Sequence, residues 1–211
     1  TLSGSAKVQN CHVQNNGGGG GVFSALDKKL TVNGNVEITG CKRGTIPDAM
    51  YFKDGTVSGG IFDGKVTQLD GTISGGRFDG DVIIRGGAIS GGRFNREVSN
   101  EGNIENGMFN GEVINQSNGT ISGGTFSGTV ENQASGTISG GTFSGTVTNN
   151  GTINGGTFAV TFDTKGGSTV PVKNVLNGQK AIKPADPTRE GYTFDGWYTE
   201  EACANPYDFA T

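Results

Sequence analysis

The chain has 211 residues, 40 of them glycine, with a hydrophobic fraction of 32% and a formal net charge of -4. A weakly acidic chain without clustered Lys and Arg carries no electrostatic footprint for nucleic acid, and no apolar run approaches the roughly 18 residues that would insert in a membrane. Three cysteines without C-x-x-C spacing and a single histidine, His12, make neither a zinc site nor a disulfide framework, so no metal, cofactor or catalytic set is expected.

Residues 1–54 read as irregular N-terminal coils or a cap. The runs AKVQNCHVQN, KLTVNGNVEITG and AMYFKDGTVSGG each alternate apolar and polar positions between glycine or asparagine turns, the pattern of short half-buried strands. The five glycines from Gly17 to Gly21 lack the Lys-Ser/Thr of a phosphate loop and lead into a strand rather than a helix, which argues against nucleotide binding. Ala25–Lys29 reads as a protruding loop or single helical turn, Pro47 as an irregular corner and His12 as an ordinary surface residue. Cys11 and Cys41 either face each other on adjacent coils and bridge, or stay buried as small apolar thiols.

Residues 55–159 carry a repeat, clearest where GTISGGTFSGTV at Gly119 returns at Gly136. Its phenylalanines are Phe62, Phe78, Phe94, Phe109, Phe126, Phe143 and Phe158, separated by 16, 16, 15, 17, 17 and 15 residues. Five residues before them runs a column of Val57, Ile73, Ile89, Ile104, Ile121, Ile138 and Ile153; four after them runs Val66, Val82, Val98, Val113, Val130 and Val147. Three inward points per coil, flanked by small or polar residues, predict short strands in a solenoid whose coils bury apolar side chains only by stacking. Helix is excluded, because each interior glycine costs about 1 kcal/mol relative to alanine.

The predicted fold is all-β: a parallel β-helix with glycines at corners needing positive φ or close approach, right-handed by the preference of parallel crossovers. Two residues after each valine stand Gln68, Ile84, Asn100, Asn115, Asn132 and Asn149, either turn asparagines or a stacked amide ladder that Ile84 breaks. Any departure from a uniform helix is expected between residues 80 and 112.

Outward positions offer weak candidates for a charged patch: Asp63, Asp79 and Asp81 with Arg77, Arg85 and Arg93. Asp63 and Asp79, each one residue after a phenylalanine, are expected as stacked neighbours in a solvated ionic ladder. Polysaccharide lyases and glycoside hydrolases on β-helices need acidic residues so placed, which makes an enzyme one alternative, although coils this short leave little room for a substrate cleft. An ice-binding face is another: Thr120 with Ser122 repeats as Thr137 with Ser139 and Thr152 with Asn154, then decays to Ala88, Ser90, Asn103 and Glu105.

Residues 160–211 differ in texture, with four of the five prolines and the only tryptophan. VTFDTKGG from Val160 reads as a strand entering a turn at Gly166-Gly167, Pro171 to Val175 as a second strand, Asn177-Gly178 as a turn and GYTFDGWY from Gly191 as a third strand. Phe162, Tyr192, Phe194 and Trp197 are the expected core. The order of aromatic, proline and glycine positions in VTFDTKGG, PADPTREGYTFDGWYTE and YDF resembles the Listeria-Bacteroides, or internalin B-repeat, module of exported surface proteins. That resemblance implies a small β-grasp-like domain without catalytic residues, here expected to lack its last strand.

GGGGGVFSALDKKLTVNGNVEITG is similar to the openings of surface-exposed β-helix proteins of gut and other anaerobic bacteria. Together the resemblances imply a secreted or cell-surface bacterial scaffold with structural or adhesive function. Glycans or host surface proteins are the expected partners, and exposed coil edges could associate end to end.

Overall fold

The computed structural model describes residues 1–13, 21–23 and 29–210; most of the five-glycine run, most of Ala25–Lys29 and the His12 side chain lie outside the described residues. The chain divides into two compact units, Thr1–Gly156 and Thr157–Thr211.

The first unit is a parallel β-solenoid with three ladders of short strands. On one, Val32 pairs with Val57, then Ile73, Ile89, Ile104, Ile121, Ile138 and Ile153 follow in register. On the next, Ile38 pairs with Phe62, followed by Phe78, Phe94, Phe109, Phe126 and Phe143. The third runs from Met50 and Phe52 through Val66 and Gln68, Val82 and Ile84, Val98 and Asn100, Val113 and Asn115, and Val130 and Asn132 to Val147 and Asn149.

Ile73, Phe78, Val82, Ile121, Phe126 and Val130 are each at most 1% exposed, so the three columns are the core. Removing such a side chain from water is worth about 1.5–3 kcal/mol, and in a coil this thin only the next coil can do it. The six buried phenylalanine rings from Phe62 to Phe143 stack with centroids 4.7–4.8 Å apart and planes within 6–11°. That is the spacing of hydrogen-bonded strands, so the backbone ladder rather than ring attraction sets the stack.

The Gly-Gly corner needs both glycines, for different reasons. At Gly124, φ is +105°, and a Cβ would meet the Phe109 and Phe126 ring edges at 3.2 and 3.3 Å. At Gly123 a Cβ would strike the Glu105 carbonyl oxygen of the preceding coil at 2.2 Å. One position requires an unusual backbone, the other close approach.

The amide column is a ladder. Asn100 Nδ2 donates to Asn115 Oδ1 at 2.8 Å, Asn115 to Asn132 at 2.7 Å and Asn132 to Asn149 at 2.7 Å. Each Nδ2 also donates to a carbonyl of its own corner, as Asn115 does to Gly119 at 3.0 Å. Ile84 offers no such partner, so Gln68 turns its Nε2 to Gly71 and Gly86, leaving Gln68 Oε1 buried without a hydrogen bond among the described residues. Coil length varies at this corner: where the next coil's glycine stands four positions after the asparagine, Asn118 and Ser135 take φ of 72° and 70°, and Gly119 and Gly136 donate back to Gln116 and Gln133. Insertion there leaves the three columns in phase.

The described residues among 1–54 form wider coils. Val8 pairs with Ile38 and Ile38 with Phe62, steps of 30 and 24 residues against 15–17 later. Pro47 sits opposite Lys42 in a small antiparallel hairpin whose partner Arg43 meets the buried Asp48 carboxylate at 3.2 Å. Register shifts occur between Asp48 and Met50 and between Ile73 and Arg77. The expected irregularity at residues 80–112 is corrected for the strand register: the ladders pass through Val82, Ile89, Phe94 and Val98 in register, because the three apolar columns are intact there and the one inward departure, Ile84, interrupts only the amide ladder.

The second unit contains one antiparallel ribbon, Thr157–Val160 with Lys173–Leu176, which pairs Phe158 with Val175. This unit begins at Thr157, so Phe158 falls within it. Turns fall at Lys165-Gly166, closed by Gly167 donating to Thr164 at 3.0 Å, and at Asn177-Gly178, closed by Gln179 donating to Leu176 at 2.9 Å. GYTFDGWY is not a third strand. Among the described residues Tyr192 to Trp197 have no ladder partner; the chain is tied instead by the Tyr207 amide donating to the Trp197 carbonyl at 2.7 Å and by single bridges, Tyr198–Pro206 and Ile182–Ala210.

Candidate functional site

Two surfaces collect chemistry. The first follows the corner after the phenylalanine ladder. Because Phe78 and Phe94 are in register, Arg77 and Arg93 stack, as do Asp79 and Asn95. Arg77 reaches Asp79 at 2.6 Å, Asn95 Nδ2 donates to Asp79 Oδ1 at 2.6 Å, and Arg93 Nε donates to Asn95 Oδ1 at 3.2 Å. Partial burial disfavours the Asp79 anion, but the Asn95 amide and the Arg77 guanidinium outweigh it and hold the carboxyl below the usual range. Asn110 and Ser127 continue the row, with Ser127 Oγ 3.2 Å from the Asn110 side chain.

The other candidates are scattered. Asp63 does not enter the ionic row as expected: both of its oxygens accept from the Gly40 N–H, at 3.0 and 2.8 Å, because the wide coil before it places a bare amide there. Arg85 pairs with Glu101 and Asp81 lies 3.9 Å from Arg96, both away from Asp79. The acidic residues are thus each bound to separate donors, and among the described residues no three His, Cys, Asp or Glu side chains converge on a metal position. On the isoleucine ladder, Ser122 and Ser139 turn their hydroxyls to the Ile104 and Ile121 carbonyls at 3.3 and 3.4 Å. Those hydroxyls tie coil to coil.

The second surface is an aromatic cleft within the C-terminal unit, about 580 Å³ in volume. Phe162 and Phe194 meet Trp197 edge-on at 5.1 and 5.2 Å, and Tyr207 meets Phe209 at 4.6 Å. The expected core residues Phe162, Phe194 and Trp197 do come together, but each stays half-exposed, and Tyr192 is 67% exposed with the Arg189 guanidinium 4.0 Å over its ring. Trp197 Nε1 is buried without a partner among the described residues.

Charge lines the rim. Lys165 contacts Glu201 at 2.8 Å and Asp163 at 3.0 Å, which raise its pKa, and the Tyr198 hydroxyl donates to Asp195 at 2.6 Å, which raises that of the phenol. Glu200 receives the Ala204 and Asn205 amides at 2.7 and 2.9 Å. Thr199 donates to it as well, and these bonds keep its carboxyl below the usual range. Sequence reasoning missed this rim; the only signal was a tight cluster of charges beside an aromatic run.

Residues 158–211 match the Listeria-Bacteroides repeat domain, so the C-terminal unit carries a module of that type. A protein of Evansella cellulosilytica, provisionally named a Gly-rich membrane protein, is 36% identical over 50 residues. The match covers 24% of this chain and 6% of that protein. No solved structure matches the chain significantly. What these observations define is a class: a parallel β-solenoid followed by a Listeria-Bacteroides repeat module. Among the described residues no helix is long and apolar enough to cross a membrane.

Proposed function

We propose that this chain is an extracellular scaffold segment of a bacterial surface protein, in which the solenoid is a rigid spacer and the C-terminal module is the adhesive element. The observation that carries the scaffold reading is the in-register column from Val57 to Ile153, in which each coil's inward apolar side chain is buried against its equivalent in the next coil. The match to a module whose relatives, by the resemblance of its motifs, are exported supports placement at the cell surface. Intact cells producing the full gene product should be labelled by a membrane-impermeant biotin reagent. Labelling only after lysis would overturn the surface placement.

The aromatic cleft favours a glycan as the ligand, since sugar rings stack on aromatic faces and their hydroxyls suit a charged rim. Trp197 is the only tryptophan, so its fluorescence reports this cleft alone. The expected result is saturable quenching by a glycan selected on an array and its loss in Phe194→Ala. An empty array with unchanged fluorescence would leave the chain a spacer. The lyase or hydrolase alternative finds no support in Asp63 and Asp79, which are held by different donors. An ice-binding face is likewise poorly served by serines bonded to backbone.

A further inference from the structure

We propose that Cys11 and Cys41 form a disulfide that staples the first coil to the second. Gln9 pairs with Thr39 and His12 with Lys42, so the same offset of 30 residues on both sides sets Cys11 directly beside Cys41. The Lys42 amide donates to the Cys11 carbonyl at 2.9 Å, and Asn10 to Thr39 at 3.0 Å, which fixes the backbones on either side. Adjacent strands lie about 4.8 Å apart, inside the roughly 4.4–6.8 Å Cα separation that a disulfide spans.

The sulfurs are 2.8 Å apart, and the other neighbours of Cys41 Sγ are the Val8 and Thr39 carbonyls at 3.7 and 3.6 Å. No third ligand of a metal joins them among the described residues. Cys203, in the other unit, is exposed and 3.5 Å from the Glu201 carbonyl.

The two thiols differ in access. Cys41 is 1% exposed, and burial together with the adjoining Cys11 sulfur pushes its thiol up to about 11, whereas Cys11 is half-buried. An oxidising disulfide, small or protein-borne, therefore meets Cys11 first. The Cys11 thiolate attacks one sulfur of that disulfide and expels a thiolate; Cys41 then gives up its proton and attacks Cys11 Sγ, expelling the second. The oxidant's S–S bond is reduced by two electrons, the two thiol protons pass to the two released thiolates, and one S–S bond forms in the chain.

The bond closes residues 12–40 into a loop and pins the first coil, which is stacked only toward the second among the described strands. It rests on the extracellular reading for its oxidising surroundings, but can be tested apart from it on purified protein.

The full chain is equilibrated with oxidised glutathione, quenched in acid, denatured, alkylated, digested and weighed without reduction. The expected product is a linked Cys11–Cys41 peptide lighter by two hydrogen atoms, with Cys203 alone alkylated. Alkylation of all three cysteines at every redox ratio, or glutathione retained on Cys11 without linkage to Cys41, overturns the proposal. As a second measurement, oxidation should raise the melting temperature by several degrees in the wild-type chain and in Cys203→Ser. It should not do so in Cys11→Ser/Cys41→Ser; an equal shift in that double variant, or none in wild type, also overturns it. Surface labelling of cells fails or succeeds independently, so the two readings remain separable.

Discussion

Between Thr72 and Asn132 every buried side chain but Ile84 lies against one of its own kind one coil away, whereas in the C-terminal unit each aromatic meets a different kind of residue. Phe126 is wholly buried between Phe109 and Phe143, while Phe162, Phe194 and Trp197 share one half-open cluster. A solenoid multiplies one good contact by the number of coils. A unit of about 50 residues has no such multiplication and leaves more of its apolar surface in water. The same chain thus joins a self-sufficient scaffold to a unit whose aromatic cluster stays partly open to solvent.

The sharpest way to break that comparison is to remove a ring from each region. Phe126→Ala should cost the solenoid about 3–5 kcal/mol, because the cavity is walled by two in-register rings and a rigid backbone. Phe194→Ala should cost clearly less, since part of its ring is already hydrated. Denaturant melts followed by circular dichroism for the solenoid and by Trp197 fluorescence for the C-terminal unit would separate the two; equal losses would contradict the contrast.

Backbone strain gives the next largest difference. Gly124→Ala places a Cβ at φ +105° against two ring edges and should cost about 2–3 kcal/mol. Gly178→Ala, at φ +76° with open space around it, should cost about 1 kcal/mol. A larger effect at Gly178 in thermal melts would show that the C-terminal turns matter more than the corner glycines do.

Asn132→Ala should cost about 2 kcal/mol, since it takes an acceptor from the buried Asn115 amide and a donor from the Gly136 carbonyl. Asn149→Ala should cost less, because Asn149 is exposed and water replaces it.

The smallest expected effect is electrostatic. With its folded pKa depressed, Asp79 contributes stability that is full above the unfolded carboxyl value, about 4, and is lost as pH falls through the folded value. Solvent screening keeps the contribution below about 1 kcal/mol. Urea midpoints of wild type and Asp79→Asn should therefore differ at neutral pH and converge in strong acid; a constant difference would place the effect in packing instead.

The inward columns were legible because each repeats at nearly constant spacing, and the amide ladder because the asparagines share the inward parity of the valines. The coil-length changes were legible too, as they fall between Asn115 and Gly119 and between Asn132 and Gly136, outside the columns. GYTFDGWY misled because alternation describes which side chains are buried and says nothing about a backbone partner. Its neighbour in the chain fold, the segment ending at Tyr207, meets it through one short bridge only. The aromatic cleft was half legible: its rings stood out, while its rim depended on side chains far apart in sequence, such as Lys165 and Glu201.

In the regular coils, one-dimensional order was enough to set the fold. When a residue is buried by its equivalent in the next coil, period and parity alone specify the partner, and Ile73, Phe78 and Val82 could not be anywhere else. Where unlike residues meet, the pattern holds no such information. That Asp63 serves the Gly40 amide while Asp79 joins Arg77, that Cys11 lies against Cys41 across a 30-residue coil, and that Phe162, Phe194 and Trp197 remain half-buried around one cleft, were decided by the width of irregular coils and the path of loops. These are distances in space that only the assembled chain defines.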